Sequence, residues 1–265
     1  ATEALASGSG SIDITTKGAI QAISDDAIDA RVYGRGAITI ATYGAISSGD
    51  DGIFLVAEQG GDLTVSILAD ISSEDEGLDI NNGEQYPVSP LDTYIHNTQV
   101  QIDATVYGED DGLNIDHRVG GTVGLVLGSN ADIIGDSGAG ADIELTIDGA
   151  SLSLQGASGS IRGATEGAKL QTENGSILVQ DIDLIQGDTG AGIYARSSGA
   201  AITIASIENV DSGSDWAIDV DARERVLGLA GPSTPGPDYD YTGGGADVSI
   251  QSVSVGNFRW RPEYA

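Results

Sequence analysis

The side chains best equipped for chemistry in this sequence are carboxylates, and they come in clusters: Asp25 and Asp26, Asp50 and Asp51, Glu74 to Glu76, then Glu109, Asp110 and Asp111. Further along they thin to Asp136, Glu166, Asp188 and Asp215. Paired carboxyl groups support two kinds of chemistry. In a glycoside hydrolase one is the acid and the other the base or nucleophile, about 5 to 9 Å away. The best set for that role is Asp110, Asp111, Asp116 and His117, with Asp79 and Asp219 at related places in the repeat. The second chemistry is cation binding, since calcium takes about six to eight oxygen ligands from carboxylates and turn carbonyls. Its candidate ligands are Asp25, Asp26, Asp50, Asp51, Asp75, Asp110 and Asp111. Carboxylates stacked about 5 Å apart repel by roughly 1 kcal/mol even in water, so a column of them needs counterions or loses stability. Calcium is the one cofactor this pattern admits, and none is required. A solvated acidic edge that keeps the chain soluble is the simpler reading.

Other candidates are fewer. His96 and His117 are the only histidines; zinc would want a third ligand at defined spacing, so both are read as surface residues. Tyr86 and Tyr94, and Tyr239 and Tyr241 with Asp238 and Asp240, fall in two irregular stretches. There they would stack on sugar rings, anchor a protein contact or pin their own loops. Phe258, Arg259, Trp260 and Arg261 would cap the chain's last element or dock on a second acidic copy, giving end-to-end association. Neither a nucleophile elbow nor a phosphate-cradling loop is present. Gly243 to Val248 resembles one calcium nonapeptide, but such sites need tandem copies, so it is set aside.

Composition narrows the partners. With 41 acidic against 11 basic residues the formal charge is -30, which repels nucleic acid and anionic lipid. Only Lys17 and Lys169 are lysines, too few for the basic groove of an acidic-polysaccharide lyase. Cysteine is absent, which excludes disulfides and thiolate chemistry. No apolar run is long enough to cross a bilayer as a helix.

The elements that must position these residues are legible as a repeat of about 25 residues. Alternating apolar pairs mark nine copies, among them Ile12/Ile14, Ile38/Ile40, Leu63/Val65, Leu125/Leu127, Ile177/Val179 and Ile202/Ile204. In each copy a second apolar position follows about eight residues on and a third seven or eight later, as in Ile38, Ile46 and Ile53, or Ile12, Ile20 and Ala27. Three short strands per copy cannot bury an apolar face alone, whereas stacked copies create a continuous interior. The prediction is a single all-β domain over 1-265: a single-stranded right-handed parallel β-helix, or solenoid, about 40 Å long. Insertions at 81-93 and 222-245 both follow a third strand and so leave from one edge, their roots about 24 Å apart. Residues 256-265 form the capping or docking segment, and the N-terminal ten are read as too small and polar to be a strong cap.

Gly44 to Ile53 and Gly187 to Ala195 resemble the repeats of bacterial autotransporter passenger domains, and similar wording covers most of the chain. The resemblance implies export, display or release at the bacterial cell surface, and an adhesin-like rod. Ala1 with no initiator Met fits removal of an export leader or excision from a longer chain, and no translocator barrel follows, which fits cleavage or a stand-alone secreted protein. Glu109 to Arg118 is also similar to polygalacturonase-type strings, but its Asp-Asp-Gly wording recurs at residues 50 to 52, which favours a repeat origin. The reading is therefore a non-enzymatic surface rod that offers its two loops to a glycan or a surface protein. A polysaccharide hydrolase is the alternative.

Overall fold

The structure, a computed structural model, describes residues 2–7, 10–83, 95–222 and 248–255. It is a parallel β-solenoid whose strands pair with the equivalent strands of neighbouring turns. The described residues contain no helix. β-Branched and aliphatic residues alternate with polar ones along most strands, so one side of the pleat is apolar and turns inward.

Each turn has three faces. The first carries Ile12–Thr16, Ile38–Thr42, Leu63–Ile67 and their successors up to Val248–Val255. The second consists of short strands such as Ile46–Ser47, Thr105–Gly108 and Ser160–Gly163. The third is a nine-stranded sheet that starts at Thr2–Ala6 and includes Ile53–Ala57, Leu78–Asn82, Leu113–His117 and Ile218–Ala222. Register holds over long stretches: Ile28, Ile53, Leu78 and Leu113 stack, as do Ile38, Leu63, Thr98 and Val123. Their side chains form one core that is sealed from solvent along the rod.

Three details depart from the sequence reading. The third inward residue of the first copy is Ile28, in register with Ile53, while Ala27 occupies the corner before it. Thr2–Ala6, read as too weak for a strong cap, is an additional third-face strand paired with Ile28–Val32. In the later turns the first two strands fuse into Ile177–Gly187 and Ile202–Ser212, bending at Asp181 and Ser206, whose φ values are 59° and 54°. Ile182 and Ile207, just beyond those bends, add a buried apolar position to the core.

The corner before the third face is tight. A Cβ on Gly112 would sit 2.7 Å from the Gly140 carbonyl oxygen and 2.7 Å from Ile133 Cγ2, so only glycine lets this corner close on the second-face aliphatics. The strands that precede the two insertions end at Asn82 and Ala222, and the chain re-enters the solenoid at Ile95 and Val248. Asn81, Asn82 and Ala222 thus belong to strands. Tyr86, Tyr94, Asp238, Tyr239, Asp240, Tyr241, Phe258, Arg259, Trp260 and Arg261 lie outside the described residues.

Candidate functional site: the acidic edge

The acidic clusters occupy one corner, between the second and third faces. Main-chain bonds set their order, because Ala27 N–H donates to Asp51 O, Gly52 N–H to Glu76 O and Gly77 N–H to Asp111 O. Two adjacent columns result. The inner one runs Asp26, Asp51, Glu76, Asp111, and the outer one Asp25, Asp50, Asp75, Asp110.

Inner carboxylates are built into the scaffold. Asp26 Oδ1 accepts the Asp51 N–H at 3.3 Å, Asp51 Oδ1 accepts the Glu76 N–H at 3.1 Å, and Asp111 Oδ1 accepts the Ala139 N–H at 2.6 Å. Each therefore ties its own turn to the next. Burial, reinforced by the charge of Asp50, raises Asp26 to about 6. Burial likewise raises Asp111 to about 6, and Asp142 and Asp110 add to it. Asp51 and Glu76 hydrogen-bond side chain to side chain, and burial raises both.

Outer and inner groups converge in three overlapping triads: Asp25, Asp26 and Asp50; Asp50, Asp51 and Asp75; Asp75, Glu76 and Asp110. In each, the candidate ligand oxygens lie within 4.8 Å of one another. Six of the seven residues expected to hold a cation are thus brought together, and Glu76 joins them. Asp111 belongs to no triad. Glu76 was legible as part of a cluster, but its place in the inner column follows only from the stacking.

The expected catalytic set does not converge. Asp116 and His117 are neighbours on a strand, so their side chains point to opposite sides. Asp116 lies outside, bonded to Arg118 Nε at 2.7 Å, and His117 is wholly buried, contrary to the surface position expected for it. Asp110 and Asp111 sit in the corner before that strand, six and five residues from Asp116. Asp79 accepts bonds from Asn81 at 2.9 Å and Asn114 at 3.2 Å. Asp51 and Glu76 meet in the inner column, where Asp51 Oδ1 also accepts the Glu76 backbone N–H at 3.1 Å.

His117 belongs instead to a polar cluster inside the core. The Asn82 amide donates to Gly61 O at 3.0 Å and to Thr98 Oγ1 at 3.2 Å, while its oxygen accepts the Gly61 N–H at 3.2 Å. Thr98 Oγ1 lies 3.2 Å from His117 Nδ1. This contact joins the imidazole to the Asn82–Thr98 pair inside the core. Burial holds the His117 pKa down to about 4; nearby His96 acts in the same sense and Asp116 opposes it.

Fold and site together define a class, an acidic parallel β-solenoid with a carboxylate-laced edge. Compared with protein-family models, curated proteins and solved structures, the chain finds no match. The likeness to autotransporter passengers accordingly rests on the wording of the repeats.

Proposed function

We propose that this chain is a rigid, non-enzymatic rod, structural or adhesive in role and exported to the bacterial surface or the extracellular medium. One observation carries the reading: the inner acids Asp26, Asp51 and Asp111 accept hydrogen bonds from the backbone of the next turn, and so serve the stack. The acidic, cysteine-free composition and the passenger-like repeats support export. The loops that follow Asn82 and Ala222 offer contacts along one edge, because both residues end third-face strands. In this reading calcium is an optional counterion of the triads. Self-association, where it occurs, uses the rod's ends: among the described residues Thr2–Ala6 pairs on one side only.

Small-angle scattering together with a reducing-sugar screen over a glycan panel tests the proposal. The expected result is an elongated particle that releases no sugar. Turnover abolished by Asp110→Asn or Asp111→Asn would establish the hydrolase instead.

A further inference from the structure

The three outer faces of the solenoid differ sharply in charge. On the third face Asp29, Arg31, Asp116, Asp142, Lys169 and Arg196 project outward, and the second carries Asp132, Arg162 and Asp211. The first face differs. One outward column in register contains Thr39, Thr64, Gln99, Ser153, Thr203 and Ser249, with Gly124 and Leu178 between them. In the other, Ser66, Gln101, Gln155, Gln180 and Gln251 alternate with Ala41, Val126 and Ala205. From Thr39 to Gln251 neither column holds an Asp, Glu, Lys or Arg, in a chain of charge -30. Asp13, in the first turn, is the exception.

This neutral strip is also long. Eight turns at about 4.8 Å give a run of roughly 35 Å. The one gap is covered, since a Cβ on Gly124 would lie 2.4 Å from Gln99 Oε1, so the Gln99 carboxamide spans the space. Hydroxyl and carboxamide groups supply donors and acceptors along the whole run, and Val126 adds an exposed apolar spot.

We propose that the first face is a docking surface for an extended neutral polysaccharide lying along the rod. The inference rests on the adhesive reading above and names its partner. Chemistry on the face selects the occupant. The backbone N–H and C=O groups are engaged in the ladder, so a peptide finds no edge to extend there. Polyanions are repelled by the net charge, a cationic protein is drawn to the acidic corner instead, and a second copy brings its own -30. An uncharged chain dense in hydroxyls meets neither obstacle, and its C–H faces suit Val126 and Leu178. Each sugar hydroxyl trades water for a side chain at small net gain. Affinity therefore accumulates with the number of turns covered.

The test is affinity electrophoresis of the full chain in gels containing mixed-linkage β-glucan, galactomannan or dextran, with polygalacturonate as the charged comparison. Expected is retardation by a neutral polymer, insensitive to salt and stronger for longer oligosaccharide competitors. Gln101→Ala, Gln155→Ala and Gln180→Ala combined should weaken it at least roughly tenfold, whereas Glu144→Ala with Gln171→Ala on the third face should not. If the triple variant fails to fold, Gln155→Ala alone and the salt series carry the test. No retardation by any neutral polymer, retardation by polygalacturonate alone, or equal losses in both variant sets would overturn the proposal. So would a finding that the first-face variants change only concentration-dependent self-association, which would make a second copy the occupant. Sugar released from a retained polymer would refute the non-enzymatic reading and leave the face in place. A rod-shaped scattering profile without retardation would do the reverse.

Discussion

Replacing His117 by Leu probes the buried cluster through its pH dependence. His117 is fully buried, with Leu145 next to it in the same inward column, so a leucine fits the slot. The imidazole is neutral in the fold and holds its pKa near 4, against 6.5 when exposed. A depressed folded pKa contributes stability that is present above the unfolded value and is lost as the pH falls, because the unfolded chain binds the proton first. The gap between 6.5 and about 4 corresponds to ~3 kcal/mol. At pH 7 the substitution removes the Thr98–His117 hydrogen bond and should cost about 1 kcal/mol. On acidification to pH 4 the wild type should lose ~3 kcal/mol relative to His117→Leu, so the variant becomes the more stable protein by ~2 kcal/mol. Urea unfolding of both chains in parallel across this range measures the difference, and contributions from other titrating groups cancel. A difference independent of pH would refute the assignment of a neutral, buried imidazole.

The carboxylate column predicts the opposite trend. Raised folded pKa values contribute stability below the ordinary carboxylate range that is lost as the pH climbs through about 6 and beyond. Glu76→Gln, which keeps a donor toward Asp51 without an acidic proton, should flatten the alkaline part of that decline by roughly 1 kcal/mol once solvent screening is allowed for. Melting temperatures across pH 5 to 9 check it, and an unchanged slope would count against the shared proton. Gly112→Ala should destabilise the rod by roughly 2 kcal/mol or more, whereas Gly18→Ala, whose added Cβ meets nothing within 4 Å, should be neutral or slightly stabilising. Similar urea midpoints for the two would contradict the tight corner. Calcium at pH 8 should raise the melting temperature more than magnesium does if the triads bind it, and Asp50→Asn with Asp75→Asn should remove the difference; equal effects of the two ions identify a solvated edge.

Periodicity alone was enough to derive the architecture. Alternating aliphatic pairs such as Ile38/Ile40 and Leu63/Val65 demand a buried face, and a period too short to enclose a core demands stacking. The acidic corner was legible for the same reason, since residues at one phase of a repeat share one edge. Thr2–Ala6 escaped notice because Ala4 and Ala6, its inward residues, are too small to mark an alternation. Other properties depend on relations between turns that no local pattern carries. Register decided that Asp51 meets Glu76 and that His117 faces Thr98 inside while Asp116 points out, so a cluster that read as catalytic divides between core and surface. The uncharged first face is likewise invisible along the chain, where its residues stand about 25 apart among acids. It becomes a surface only when the turns are stacked, because the pleat sends every second side chain outward and hydrogen bonding sets those chains side by side.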